Sequence, residues 1–133
     1  MLTTFAATIS LKTNLNIVSM EIKSLLAHTE GNLITTQISE DIVFENAFAS
    51  DLMSDVLTLD ASNTILITGL ANLQTIRTAE MSDIECVIIG RNKKVTPDML
   101  ELAIKSNICL IESPFSVFKI SGILYQNGIK PLY

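Results

Sequence analysis

The chain has no tryptophan, one histidine and two cysteines among 133 residues, and aromatic residues make up only 5% of it. Each scarcity excludes something. With so few rings, any core must be aliphatic. One histidine (His28) and two scattered cysteines are too few for a zinc site. They also leave no plausible Ser/His/Asp set. Cys86 and Cys109 fall inside apolar runs with no CxxC spacing and no basic neighbour, which reads as two buried thiols in a reducing compartment. Basic residues are outnumbered nine to fourteen, for a net charge of -5. A nucleic-acid partner would need a basic stripe, and the longest basic cluster is Arg91-Asn92-Lys93-Lys94. No apolar run reaches the roughly 18 residues that span a bilayer. Near the start, Lys12 follows the apolar residues 5–11 instead of preceding them, so a secretory signal is not expected and the reading is cytoplasmic.

What is present is apolar and rhythmic. Hydrophobic residues make up 48% of the chain against 17% charged, ample for a core. The length fits one domain. Three short runs recur about 21 residues apart: Ile65-Leu66-Ile67-Thr68-Gly69, Cys86-Val87-Ile88-Ile89-Gly90 and Ile108-Cys109-Leu110-Ile111-Glu112-Ser113. Runs this apolar suit strands buried on both faces of a parallel sheet. The fold class is therefore α/β: a small, mainly parallel sheet with flanking helices.

The intervening stretches read as helices. Ser19 caps a first helix with an apolar stripe of Ile22, Leu25 and Leu26, ended by Gly31, with His28 in its last turn. Residues 32–36 suit an edge strand, 39–41 a turn and 43–49 a strand. A short helix follows over 50–57, capped by Ser50 or Asp51, and 60–63 turn the chain. Asn72 caps a helix carrying Leu73, Ile76 and Ala79 inward. Thr96-Pro97-Asp98 starts another, with Leu100, Ala103 and Ile104 inward. Ser113-Pro114 starts the last, with Phe115, Phe118 and Leu124 inward, close approach at Gly122 and a stop at Gly128. Residues 1–19 show no clear period and read as a flexible extension or a start-codon artefact. The organised domain is expected over 20–133.

In a parallel sheet, the residues just beyond the strands share one edge, where ligands of α/β proteins usually sit. Those residues are Asp51, Ser54, Asp55, Thr68, Gly69, Asn72, Gly90, Arg91 and Ser113. Free N–H groups at the helix starts near Asn72, Thr96 and Ser113 would favour an anion. Asp51 and Asp55, one helical turn apart, would face the same side. Gly69 and Gly90 could bring backbone close to a phosphate, and Arg91 is the natural anion contact. No GxGxxG or GxxxxGK[ST] is present. The strand ends also lack the Asp and Lys of a phosphoacceptor receiver domain. No metal or cofactor is expected.

The run Phe48-Ala49-Ser50-Asp51-Leu52-Met53-Ser54-Asp55-Val56, followed by Ile65-Leu66-Ile67-Thr68, resembles the DRTGG domain. So do Val87-Ile88-Ile89-Gly90, the Thr96-Pro97-Asp98 helix start, residues 108–113 and the close Leu124-Tyr125-Gln126-Asn127-Gly128. The likeness covers residues 20–129 and is nearest to the small stand-alone DRTGG proteins, which are similar to the N-terminal domain of HPr kinase/phosphorylase. The family name marks Asp-Arg after one strand and Thr-Gly-Gly after the next. This chain has Gly69-Leu70 near the first place and Ile89-Gly90-Arg91 at the second, so only one glycine of the signature remains.

The resemblance implies a compact α/β domain, often dimeric, that acts beside or attached to enzymes without being their catalytic part. It implies no kinase activity, because the P-loop domain of HPr kinase is absent. The function expected is a non-catalytic regulatory domain that senses a small anionic metabolite or nucleotide at the strand edge. The alternative is a homodimeric interaction module that docks on a partner enzyme without a ligand, a reading that fits the low charge and high apolar content. Neither involves nucleic acid or a membrane.

Overall fold

The structure, a computed structural model, describes residues 19–36, 42–57 and 61–133. The extension expected over 1–19, apart from Ser19, lies outside the described residues, as do the 39–41 turn and Asp60. The chain runs β1 (Met20–Glu21), α1 (Ile22–Thr29), β2 (Asn32–Leu33), β3 (Val43–Phe44), β4 (Asn46–Ala49) and α2 (Met53–Val56). It continues β5 (Thr64–Thr68), α3 (Leu73–Met81), β6 (Cys86–Ile89), α4 (Pro97–Lys105), β7 (Cys109–Glu112), α5 (Val117–Gln126) and β8 (Lys130–Pro131).

A six-stranded sheet has the order β2-β7-β6-β5-β4-β8, and β1 pairs with β3 separately. Every pairing in the large sheet is parallel except β2 with β7, which is antiparallel. The three apolar runs are the central strands, and every residue of β5 and β6 is buried. Such strands need cover on both faces, and alternation divides their side chains between two cores. Ile65, Ile67, Cys86, Ile88, Cys109 and Ile111 meet α1 and α5 on one face. Leu66, Val87, Ile89 and Leu110 meet α2, α3 and α4 on the other.

The connections explain that division. From β4 to β7 the chain steps across the sheet in one direction, with its helices on one face. From β7 it returns to the far side of β4, and a right-handed crossover in that reversed direction must use the opposite face. That return is α5, and the winding therefore reverses between β4 and β8.

Several local readings change. Val43 to Ala49 is not one strand: β3 and β4 belong to different sheets. Ser19 does not cap α1, because Met20–Glu21 first pairs with Val43–Phe44 and the helix begins only at Ile22. Neither Ser50 nor Asp51 caps α2: its N-cap is Leu52, and the Ser50 hydroxyl serves the Leu52 amide instead. The inward face of α4 is Met99 and Ala103, with Leu100 and Ile104 only partly covered. The last helix starts at Val117 under a Ser116 cap, which turns Phe118 out to 87% exposure and seats Ile120 and Leu124 in the core. Gly122 faces open space and makes no close approach, whereas Gly128 ends the helix at φ 93°.

Cys86 and Cys109 are register partners on neighbouring strands, buried and unbridged. Burial pushes the Cys86 thiol well up, and the adjacent Cys109 thiol adds to the shift. Both therefore act as small core side chains. No helix among the described residues is long and apolar enough to cross a membrane.

Candidate functional site

Parallel pairing brings the ends of β4, β5 and β6 together. Asp51 lies two residues past β4, and its carboxylate turns back over the end of β5. There Oδ1 accepts a hydrogen bond from the Thr68 hydroxyl at 2.8 Å and from the Gly69 amide at 2.7 Å. The Thr68 oxygen in turn accepts from the Leu70 amide at 3.2 Å. The Gly69 amide lowers the Asp51 pKa most, then the Thr68 hydroxyl; burial opposes them weakly, and the nearby Arg91 guanidinium adds a smaller pull. Asp51 is thus a firmly ionised carboxylate, a poor general base at neutral pH.

Arg91 arrives from the end of β6. A Cβ placed on Gly69 would come within 2.6 Å of Arg91 Cδ, so the arginine stem lies across the β5 end where the glycine leaves room. Arg91 and Asn92 both adopt left-handed backbone, at φ 63° and 57°. Such a conformation costs an L-residue about 1–2 kcal/mol. It is held by amide bonds from Arg91 to the Phe115 carbonyl at 2.7 Å and from Asn92 to the Ser113 carbonyl at 3.1 Å. The Arg91 side chain remains exposed. Asp51, Thr68, Gly69 and Arg91 therefore form one compact cluster of opposite charges at the carboxyl end of the sheet.

The other candidates take different places. Ser54 and Asp55 are exposed on α2. Asp51 precedes that helix, so the same-side pairing of Asp51 with Asp55 does not arise. Asn72 caps α3 through the Thr75 amide at 3.1 Å. Gly90 makes room for packing: a Cβ there would meet Ile120 Cδ1 at 3.0 Å and the Phe115 carbonyl at 3.1 Å. Ser113 is buried and donates to the Thr29 carbonyl at 2.7 Å, pinning α1 to the end of β7.

The anion-receptive helix starts are also occupied by their own chain. Asn72 holds the Thr75 amide, Asp98 the Met99 amide and Ser116 the Lys119 amide. Even the Gly69 amide is taken, by Asp51. A residue missed in the sequence belongs here too: Glu112 accepts from the Val95 amide at 2.7 Å and lies 3.7 Å from Lys94 Nζ, shaping the β6–α4 loop. Its apolar neighbours pointed only to a strand end. Among the described residues there is no cluster of three or more His, Cys, Asp or Glu that could hold a metal.

A second concavity lies beside this edge. A cavity of about 280 Å³ opens between β4, β8 and α5, lined by Ala47, Ala49, Ile67, Leu124, Tyr125 and Tyr133 among others.

No family model matches the chain, and no curated protein matches it. Among solved structures it is similar to the crystal structure of the CBS and DRTGG domains of the regulatory region of Clostridium perfringens pyrophosphatase, complexed with the activator diadenosine tetraphosphate. The TM-score is 0.69 at 18% identity, covering 81% of this chain and 47% of that one. At that identity the likeness is one of fold, and this chain spans less than half the length of its neighbour.

Proposed function

We propose that this protein is a non-catalytic, ligand-sensing regulatory domain of the DRTGG type, and that it binds a small anionic metabolite or nucleotide at the carboxyl edge of its sheet. The observation that carries this reading is the nearness of an exposed, conformationally costly Arg91 to an ionised Asp51 over the end of β5. Costly backbone that surrounding bonds hold in place concentrates at ligand clamps and switch regions. The fold likeness to a regulatory region that binds a nucleotide activator supports the same class.

Because Asp51 already occupies the Gly69 amide, a ligand here meets side chains and not a bare backbone cradle. Arg91 takes the anionic group in bidentate fashion. Asp51 accepts from ligand hydroxyl or amino groups. Calorimetry with nucleotides and sugar phosphates tests this. Binding by one class, lost in Arg91→Ala, is expected; no binding by any of them counts against the proposal.

A second reading has its own support. Leu52, Phe118, Tyr125 and Tyr133 are exposed by 58%, 87%, 70% and 84%, apolar and aromatic surface of the kind a partner covers. A homodimeric module docked on a partner enzyme would cover it. Light scattering that finds a strict monomer at all concentrations removes the dimer.

A further inference from the structure

The cavity beside the strand edge has a cause in the sequence. On the face covered by α5, the central strands present Ile65, Ile67, Ile88 and Ile111. On the same face β4 presents the small residues Ala47 and Ala49. The helix above contributes Ser121, whose hydroxyl folds back to the Val117 carbonyl at 2.7 Å. Small residues meet small residues, and about 280 Å³ stays open.

The rim is equally particular. The chain has two tyrosines, and both Tyr125 and Tyr133 line this cavity. Phe48 is also in the lining; its side chain packs toward the α2–α4 core, with its ring 5.7 Å from that of Tyr133. An aromatic-poor chain therefore gathers its phenols around one apolar hollow. The hollow lies where the winding reverses between β4 and β8, and in open α/β sheets such reversal points are where ligand crevices form.

We propose that this cavity binds a flat, uncharged heteroaromatic ring of the nucleobase kind. The size favours a ring over a whole ligand, since drug-sized pockets begin at about 300 Å³. The floor of Ala47, Ala49, Ile67 and Leu124 is apolar and favours an uncharged ring, with Lys130 the one charged residue in the lining. Tyrosine faces stack on nucleobases irrespective of their identity. The inference rests on the proposed nucleotide reading and deepens it. Ala49 lies two residues before Asp51 and Ile67 two before Gly69, about 7 Å along each strand. A ring in the hollow thus leaves its phosphate at the Asp51–Arg91 edge.

The experiment is a titration of the full chain, followed by NMR of the Tyr125 and Tyr133 ring resonances. The probes are adenosine, adenosine monophosphate and inorganic phosphate. Adenosine and the monophosphate are expected to shift both tyrosine rings, and phosphate alone neither. Ala47→Leu, which fills the hollow, and Tyr125→Ala, a change at an exposed helical position, are each expected to weaken adenosine about tenfold. Arg91→Ala is expected to weaken only the monophosphate. Tyrosine rings that ignore adenosine, or adenosine binding unchanged in both cavity variants, overturn the inference. If the monophosphate then still binds through Arg91, the edge reading survives without the cavity. If adenosine moves the tyrosines while Arg91→Ala changes nothing, the cavity stands and the edge reading falls.

Discussion

The centre of the sheet and its β4–β8 margin solve the same packing problem in opposite ways. Across β5, β6 and β7, every apolar position on both faces is filled by Ile, Leu, Val or Cys and sealed by a helix. At β4 the strand is only partly buried, its α5-side residues are alanines, and aromatic rings stand at the surface. Filled strands maximise stability and leave nothing to bind. The margin gives up burial, and the hollow and the charged cluster both lie at or beside it. The difference separates the part of the domain that folds it from the part available for recognition.

Substitution should expose that contrast. The largest effect belongs at the centre. Ile88→Ala removes a fully buried side chain and is expected to cost about 4 kcal/mol in denaturant unfolding. The matching change at the margin, Ala47→Leu, adds bulk where space exists and is expected to change stability by less than about 1 kcal/mol. If Ala47→Leu destabilises as much as Ile88→Ala, the margin is as tightly packed as the core and the contrast fails.

Next in size is the lock between layers. Ser113→Ala leaves the buried Thr29 carbonyl and the Phe115 amide without their hydroxyl partner, at a cost of about 2 kcal/mol, measurable as a lower melting temperature. A neutral result would mean that α1 is held by apolar contacts alone.

Asp51→Asn is expected to cost less, about 1 kcal/mol, because the site is exposed. Its signature is pH dependence. The folded pKa of Asp51 is lowered, so its stabilisation is present above the unfolded value of about 4 and is lost as pH falls through the folded one. The native protein should therefore lose stability more steeply below about pH 4 than Asp51→Asn. Parallel acid limbs would show that the carboxylate gains nothing from Thr68 and Gly69.

The smallest expected effect is at Arg91. Arg91→Gly relieves left-handed strain, so stability should stay within about 1 kcal/mol of the native chain or rise. Anion binding should disappear. A stable variant that binds unchanged would remove Arg91 from the site.

The central strands were legible in the sequence because burial on both faces makes an uninterrupted apolar run, and such a run has few other readings. The parallel sheet and the Asn72 and Thr96-Pro97 helix starts follow from equally local signals. The margin was not legible. β4 is half-buried, so Val43 to Ala49 looked like one strand when two sheets share it. Phe118 looked like core because Ser113-Pro114 resembles a helix start; the true cap, Ser116, rotates the helix face. Gly90 and Ser113 sat where a site would be, yet serve packing and interlayer bonding, roles set by residues distant in sequence such as Ile120 and Thr29. Asp51 and Arg91 were found as candidates from their strand-end positions. That the Asp51 carboxylate would close over Gly69 depends on tertiary geometry that no local pattern encodes.

One measurement bears most directly on the central claim that the margin senses a ligand: thermal unfolding of the full chain against nucleotides and sugar phosphates. A ligand at 100 times its dissociation constant stabilises the fold by about 2.7 kcal/mol. A ligand-sensing margin gives a clear upward shift with nucleotides that Arg91→Ala abolishes and Ala47→Leu diminishes. A melting temperature indifferent to every compound, in a chain that is folded and stable, would contradict it.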